Sequence, residues 1–237
     1  MTGREGCGAT LAALAWPDVD GRDAVLAVPV GATEQHGPHL PFTTDTEIAE
    51  ALVRRLAAEV PGVVAAPAVA YGASGEHQAF PGTLSIGREA TTRLLVELAR
   101  SAGATFGRVL WVCAHGGNAD AVADALALAR GEGRDVRAWW PRWEGDLHAG
   151  RVETSLMLAL APERVALERA AAGNAAPLAE LLPLLRSDGV RAASANGVLG
   201  DPAGANADEG RALLAAAAAH LAAFVGEWRA GCAVSLW

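Results

Sequence analysis

One short span most constrains what this chain can fold into. The run Ala24–Val30 is apolar along its length and ends at Gly31, which is typical of a buried parallel strand. Four side chains that bind metals or carry protons then follow within Val28–Glu47, interleaved with glycine and proline: Glu34, His36, His39 and Asp45. A core strand would exclude the carboxylates, and a linker would not need the histidines. The span therefore predicts about half of the ligands of a metal centre, at one edge of the sheet of an α/β fold.

The rest of the chain alternates short apolar runs with segments of helical periodicity. The predicted strands are Ala24–Val30, Val63–Ala70, Arg108–Cys113 and Asp135–Trp140, and the predicted helices are Thr46–Val60, Glu89–Arg100, Asn118–Ala129, Glu153–Leu160 and Ala207–Arg229. Thr44 or Asp45 is expected to cap the first helix, and Asn118 the third. The alternation predicts an α/β fold with a mostly parallel sheet covered on both faces. We predict one domain over residues 1–237, with Asn196–Asn206 as a long internal loop.

Composition and charge exclude several classes of function. The net charge is −8, whereas nucleic-acid binding usually needs a basic surface. All 19 basic residues are arginine, which excludes a Schiff-base lysine and a P-loop lysine. The longest apolar stretch, Ala212–Val225, is shorter than the ~20 residues that span a bilayer, and the N-terminus has no apolar core of signal-peptide length. Three widely spaced cysteines fit a reducing compartment, so we predict a cytoplasmic protein that binds neither nucleic acid nor membranes.

Polar side chains recur where the predicted strands end. Glu34 and His36 follow the first strand, and His115 follows the third. His148 and Glu153 follow the last one. Ligands of doubly wound sheets collect outside the carboxyl ends of the strands, and imidazole and carboxylate suit zinc, iron or manganese. The pattern predicts that these side chains form one metal site.

The spacing after the first strand is consistent with two metal ions. Glu34 and His36 are two residues apart, so an extended backbone places both side chains on the same side. Asp45 returns from the start of the next helix and can bridge two ions through its two oxygens. Two adjacent ions activate a water and polarise a carbonyl together, and His148 or a spare carboxylate can then move protons.

Each motif alone also has a simpler interpretation. Glu-x-His is a common pattern, and His115–Asn118 is also typical of a turn that caps a helix. Glu153 also suits the first turn of a helix on electrostatic grounds. The joint occurrence of these motifs at successive strand ends favours a site. His39 is expected to have a supporting role or to lie in a surface loop, and His220 to be structural or exposed.

Other side chains fit packing better than chemistry. Cys113 lies in an apolar strand and is expected to be buried rather than nucleophilic. Trp139, Trp140 and Trp143 either line a pocket or pack in the core or an interface, and their large apolar area favours packing. The sequence contains no Gly-x-Ser-x-Gly nucleophile elbow and no dinucleotide-binding fingerprint.

Several blocks together resemble the creatininase family. They occur in the family's order and are Glu34–Pro41 with Thr44–Thr46, Glu76–His77 with Phe80–Thr83, His115–Asn118, and His148–Gly150 with Glu153–Ser155. Gly200–Pro202 and Glu209–Gly210 extend the resemblance to nearly the whole chain. The resemblance implies a three-layer α/β/α sandwich and a binuclear, metal-dependent amidohydrolase. It also implies a homo-oligomer, because family members often assemble as hexamers.

Carried over by position, the resemblance implies a role for each site residue. The expected ligands of two divalent ions (zinc, iron or manganese) are Glu34, His36, Asp45, His115 and Glu153, with Asp45 bridging. His148 matches a catalytic position that assists proton transfer near the scissile amide, and Glu153 is expected to be catalytic as well as ligating. The residues expected to shape the substrate pocket are His77, Phe80, Gly82 and Thr83.

The chain also departs from the family's pattern. Cys113 and Ala114 stand where the family usually has Asn-Gly, and Arg151 stands where an acidic residue is common. Creatininase itself carries a glutamate two residues after the ligand histidine, and this position is Gly117 here. Its metal arrangement therefore does not transfer whole.

Further stretches resemble one subgroup of peptidases within the family. They are Ala73–Gln78, Ser155–Leu160, Gly173–Asn174, Pro177–Leu181 and Gly197–Pro202. The implied reaction is hydrolysis of one peptide bond in a modified precursor peptide, which releases its crosslinked C-terminal Val-Tyr unit during the synthesis of a peptide-derived redox cofactor. Two alternatives are an amidohydrolase that acts on a small cyclic or linear amide, and a metal-binding or scaffold protein without catalysis.

Overall fold

A parallel sheet forms the centre of the molecule. A computed structural model of the chain describes residues 9–19, 21 and 23–231. The five strands are β1 (Ala9–Thr10), β2 (Val25–Val30), β3 (Val63–Ala65), β4 (Arg108–Cys113) and β5 (Val136–Trp139). Their order in the sheet is β1-β3-β2-β4-β5, and every neighbouring pair is parallel. The carboxyl ends of the two central strands, β2 and β4, therefore lie side by side.

Helices cover both faces of this sheet. They are α1 (Thr44–Glu59), α2 (Gly87–Ala102), α3 (Ala119–Gly131), α4 (Arg151–Leu160), α5 (Leu178–Asp188), α6 (Val190–Ala193) and α7 (Ala207–Arg229). Alternate residues of β2 point to opposite layers: Val25 and Ala27 pack with α1, α4 and α7, whereas Leu26 and Val28 pack with α2 and α3. Because β2 is buried on both faces, its sequence is continuously apolar. The architecture is the predicted three-layer α/β/α sandwich.

The predicted elements occur with shifted bounds. The second predicted strand is shorter than expected, because β3 ends at Ala65 and only an isolated bridge between Val69 and Val30 continues the pairing. The sequence reasoning did not predict β1, α5 or α6. Residues 194–206 form the expected irregular loop, and one of them, Leu199, pairs with His148 across an isolated bridge. The extent of the domain, 1–237, stays a prediction.

Neither predicted cap forms through its side chain, although Asn118 does stand at the N-cap position of α3, and the reason matters for the site. Helix α1 begins at Thr44, whose Oγ1 donates to the Pro41 carbonyl at 2.8 Å, while Asp45 faces the histidines. Asn118 does not cap α3 through its side chain. Its Nδ2 donates to the Gly31 carbonyl at 2.9 Å, and its Oδ1 accepts from the Ala73 N–H at 2.8 Å. The backbone groups of a buried loop cannot bond to water, so they must find hydrogen-bond partners within the protein. The N–H groups at an accessible helix end can bond to water instead.

The packing predictions agree with the structure. Cys113 is fully buried, and burial raises the pKa of its thiol well above the usual range; Cys7 and Cys232 lie outside the described residues. Trp139 is buried in the core, and Trp140 and Trp143 pack against the two core layers. His220 is exposed on α7. Within the described part of the chain, no helix is long and apolar enough to cross a bilayer.

Candidate metal centre

The carboxyl ends of β2, β4 and β5 bring the predicted ligands together. The loop after β2 carries Glu34 and His36, α1 returns with Asp45, and the loop after β4 carries His115. The segment after β5 leads to His148, and Glu153 lies in the first turn of α4. We call Glu34, His36, Asp45, His115 and Glu153 the ligand cluster.

One half of the ligand cluster surrounds His36. Its Nε2 lies 3.2 Å from Asp45 Oδ1 and 3.8 Å from Glu153 Oε2. Glu153 is held in place because its Oε2 also accepts a hydrogen bond from the Ala149 N–H at 2.6 Å. An imidazole nitrogen and two carboxylates thus face a common point.

The other half surrounds His115. Its Nδ1 lies 3.3 Å from Asp45 Oδ2, and its Nε2 lies 3.1 Å from Glu34 Oε2. The two oxygens of Asp45 therefore face two different histidines, His36 and His115. This is the arrangement expected of a carboxylate that bridges two ions. Glu34, Asp45 and His115 together offer one ligand atom each within 4.8 Å of one another.

The lack of hydrogen bonds to the buried carboxylate oxygens is consistent with a site for two cations. Neither oxygen of Glu34, nor Oδ2 of Asp45, has a hydrogen-bond partner among the residues that the structure describes, although all three are buried. A histidine nitrogen lies 3.1–3.3 Å from each of these oxygens. Burying a carboxylate without a partner is strongly unfavourable, so the arrangement calls for positive charge between these atoms. Imidazole with carboxylate is a donor set that zinc, iron and manganese accept.

The raised pKa values of His36 and His115 also indicate that the ligand cluster favours positive charge. Burial opposes a proton on His36, but Asp45 and the other nearby carboxylates outweigh it and raise its pKa to about 10. Burial likewise opposes a proton on His115, and Glu34 with Asp45 raises its pKa well above the usual value. For Asp45, His36 and His115 outweigh burial and lower the pKa well below the usual range. Without metal, protons on the histidines balance these carboxylates.

Burial disfavours the charged form of the remaining groups, His77, His148 and Glu153. Burial lowers the pKa of His77 to about 3 and that of His148 well below the usual value. Burial also raises the pKa of Glu153 to about 7. His148 is therefore an uncharged imidazole at neutral pH, as a proton acceptor must be.

A cavity of about 840 Å³ opens onto the ligand cluster. Glu34, His115 and His148 lie on its polar side. Three leucines of α5 lie on another side, spaced four and three residues apart on one helical face: Leu178, Leu182 and Leu185. We call these three the leucine wall. The cavity thus joins a candidate metal-binding surface to an apolar one.

The four predicted pocket residues take two kinds of position. His77 lines the cavity. Phe80 instead packs against the small core of Leu181, Val190 and Leu199. The remaining two also lie behind the lining: Gly82 (φ +94°) has the Phe42 ring where a Cβ would be, and Thr83 Oγ1 accepts from the Gln35 N–H at 3.2 Å. A direct contact of Phe80, Gly82 or Thr83 with substrate stays a prediction.

Several features of the site were missed or left open by the sequence. The leucine wall and the buried side chain of Gln35 were not predicted, although Gln35 stands between two expected ligands. His39 contacts Thr154, with Nε2 2.9 Å from its Oγ1, which fits a supporting role. A Cβ at Gly117 would lie 2.6 Å from the Ala73 carbonyl oxygen, a backbone atom, so the glutamate that creatininase carries here has no room. Arg151 forms a salt bridge with Glu209 of α7 at 2.9 Å.

Comparison with known proteins decides the family. The sequence model of the Creatininase family (creatinine amidohydrolase) matches residues 12–225. The chain belongs to the creatininase family. Mycofactocin precursor peptide peptidases are similar to it: that of Mycobacterium ulcerans (strain Agy99) is 48% identical over 91% of this chain and 87% of its own length, and that of Mycobacterium tuberculosis (strain CDC 1551 / Oshkosh) is 50% identical over 86% and 85%. The creatinine amidohydrolase of Pseudomonas putida is 31% identical over 66% and 73%.

Solved creatininases have the same fold. A manganese form of creatininase has a TM-score of 0.79 at 26% identity and covers 93% of this chain and 98% of that chain. A mutant creatininase of the Zn–Zn type has a TM-score of 0.76, also at 26% identity, and covers 92% and 97%. The chain is thus a creatininase-family hydrolase with the family's fold. The solved structures with this fold include a manganese form and a Zn–Zn form of creatininase.

Proposed function

We propose that this creatininase-family hydrolase is a metal-dependent peptidase that cleaves the mycofactocin precursor peptide and releases its modified C-terminal Val-Tyr unit. The observation that carries the proposal is the identity of about 50% with mycofactocin precursor peptide peptidases over most of both chains. The creatinine amidohydrolase is matched less closely and over less of the chain. The reaction is a step in the synthesis of a peptide-derived redox cofactor.

The cavity supports a peptide substrate. Its volume of about 840 Å³ lies in the upper part of the range of small-molecule sites, which is more space than a small cyclic amide needs. The leucine wall offers an apolar surface to valine and tyrosine side chains. The packing around Gly117 excludes the creatininase glutamate, which argues against creatinine itself as the substrate.

In the proposed mechanism, Glu34, Asp45 and His115 would hold one ion, and His36, Asp45 and Glu153 would hold the other. The chemistry that such a pair supplies when bound is polarisation of a carbonyl and a lower pKa for water. His148 then takes a proton from the attacking water and returns it to the departing amine. Its Nδ1 lies 3.9 Å from Glu34 Oε1, on the cluster side of the ring. Because His148 is uncharged, it can accept that proton at neutral pH.

Further parts of the proposal concern the ions, the assembly and the location. We propose zinc, iron or both, with manganese as the third possibility, which the ligand set also accepts. We also propose a homo-oligomer, a hexamer by family resemblance, that acts in the cytoplasm. Metal analysis of the purified protein and its mass in solution test the first two directly.

Cleavage of the modified precursor tests the proposed substrate. The metal-loaded protein is incubated with precursor peptide before and after treatment with its maturase, and the products are identified by mass spectrometry. We expect the Val-Tyr unit to be released from the modified peptide. No product at confirmed metal content would refute the proposal. Cleavage of creatinine or other small cyclic amides instead would support the second candidate, a small-amide hydrolase. The 31% identity with creatinine amidohydrolase favours this second candidate.

A further inference from the structure

The side chain of Gln35 lies buried between two histidines of the site, His77 and His148, with only 5% of the residue exposed. Two backbone groups determine which end of its amide is oxygen. Oε1 lies 2.8 Å from the Gly37 N–H, which can only donate. Nε2 lies 3.2 Å from the Gly197 carbonyl, which can only accept. The reversed amide would place donor against donor and acceptor against acceptor, so this orientation is fixed.

The orientation of Gln35 determines the proton position on His77. Gln35 Nε2 lies 2.8 Å from His77 Nδ1. Because the amide nitrogen donates, Nδ1 must accept, and the imidazole proton must be on Nε2. That atom lies 3.3 Å from Glu34 Oε1. His77 therefore presents an N–H group to the ligand cluster and offers no lone pair there, although its position among Glu34 and His148 would otherwise suit a metal ligand.

The backbone of the same residue determines the proton position on His148. His148 Nε2 lies 2.9 Å from the Gln35 carbonyl oxygen, which can only accept, so Nε2 carries a proton. The two amide protons of Gln35 are directed to His77 and Gly197, which leaves none for His148 Nε2 at 3.1 Å. In the neutral ring the lone pair is then on Nδ1, the atom that faces Glu34.

The backbone conformation at Gly197 allows its carbonyl to approach the Gln35 amide. Gly197 has a φ of +81°, and a Cβ there would lie 2.0 Å from Gln35 Oε1. Only glycine lets the loop backbone approach the amide so closely. The carbonyl that fixes the amide therefore comes from a segment 162 residues away in sequence.

We propose that Gln35 is a positioning residue that gives the two histidines opposite roles, with His77 as a proton donor through Nε2 and His148 as a proton acceptor through Nδ1. In the hydrolysis, the His77 N–H would face the Glu34 carboxylate at 3.3 Å, and His148 would receive the proton of the attacking water. The proton positions stand independently of the substrate, whereas this use of them rests on the proposed function.

Histidine-selective ¹⁵N NMR of the zinc-loaded protein tests the proton positions, with resonances assigned by substitution of single histidines. In the unsubstituted protein, we expect His77 and His148 to be protonated on Nε2 and unprotonated on Nδ1. A proton on Nδ1 of either ring would overturn the proposal. This result does not depend on cleavage of any peptide, so it stays distinct from a failure of the proposed substrate.

Gln35→Met tests whether Gln35 is the cause, since it keeps the length of the side chain but removes both amide protons. We expect His77 to lose its single proton position, seen as a second tautomer, while His148, whose partner is the backbone, keeps Nε2–H. We also expect kcat to fall about 10-fold or more at unchanged zinc content, as for other partners of an active histidine. Gln78→Met, in an exposed residue next to His77, is the matched control and should change neither tautomer. An unchanged His77 signal in Gln35→Met would overturn the role of Gln35.

Discussion

The ligand cluster and the leucine wall line one cavity, but different parts of the fold hold them. The ligand cluster comes from four segments that meet at the carboxyl ends of the central strands, and four of its five members are almost wholly buried. The leucine wall comes from one helix, α5, in which Leu178 is 47% exposed. Helix α5 packs on a small core of Leu181, Val190 and Leu199, apart from the two main core layers. On the proposed function, the ligand cluster would perform the chemistry and the leucine wall would select the substrate.

This separation has a physical basis. A metal site needs ligands fixed within a few tenths of an ångström, and rigid strand ends supply that precision. An apolar surface for a peptide needs shape and area, which a helix outside the main core can supply and vary. If the separation holds, changes in the ligand cluster should lower turnover of every substrate, and changes in the leucine wall should alter only peptide binding.

The largest effect is expected in the ligand cluster. His115→Ala removes the imidazole between Glu34 and Asp45, so metal binding and turnover should both fail. We expect kcat/KM for the modified peptide to fall by more than about 10²-fold, the upper loss for an outer partner of a metal ligand, while the circular dichroism spectrum is retained. His220→Ala, in an exposed histidine of α7, is the matched control. Full activity of His115→Ala would remove this residue from the site.

A smaller effect is expected in the leucine wall. Leu182→Ala shortens a side chain that lines the cavity, whereas Leu184→Ala shortens one on the same helix that does not. Burying a leucine side chain is worth roughly 1.5–3 kcal/mol, so KM for the modified peptide should rise about 10-fold in Leu182→Ala. Metal content and kcat should stay unchanged. Equal effects of the two substitutions would contradict the assignment of the leucine wall.

The same contrast explains what the sequence could predict. The candidate ligands follow apolar strands at short range, and their order matches a known family, so the sequence could name all five as candidates before the fold was known. The leucine wall could not, because α5 carries Pro183 inside it, a residue that normally ends a helical pattern. The network of Gln35 was also hidden, because its meaning depends on Gly197 far along the chain.

The absence of the two side-chain caps has a related cause. Local rules made Asp45 and Asn118 plausible caps, but both side chains are used in tertiary contacts. Asp45 faces two histidines, and Asn118 joins the loops at Gly31 and Ala73. At a functional site, such contacts override local preference, so disagreement with local rules marked residues of interest.

The smallest effect concerns the stability of the metal-free protein as the pH changes. The pKa of His36 is raised from 6.5 to about 10, so its contribution is fully present below pH 6.5 and is lost as pH rises through about 10. The pKa of Glu153 is raised from 4.5 to about 7, which also makes the fold less stable as pH rises through that range. The melting temperature of the metal-free protein should therefore fall between about pH 7 and about pH 10.

Two comparisons sharpen this expectation. With metal bound, cations replace the protons on the histidines, so the decline above pH 7 should be much smaller. Leu182→Ala should leave the decline of the metal-free protein unchanged, because the leucine wall carries no titrating group. A metal-free protein whose melting temperature rises over this range would contradict the assigned charges.

The most direct test of the account is the metal content per chain of the unsubstituted protein and of Asp45→Asn, measured by mass spectrometry of the elements. Asp45 is the one carboxylate of the ligand cluster whose two oxygens face both halves. We predict two ions per chain in the unsubstituted protein and loss of both in Asp45→Asn, with the fold retained. Two ions still bound to Asp45→Asn would contradict a binuclear centre bridged by this residue.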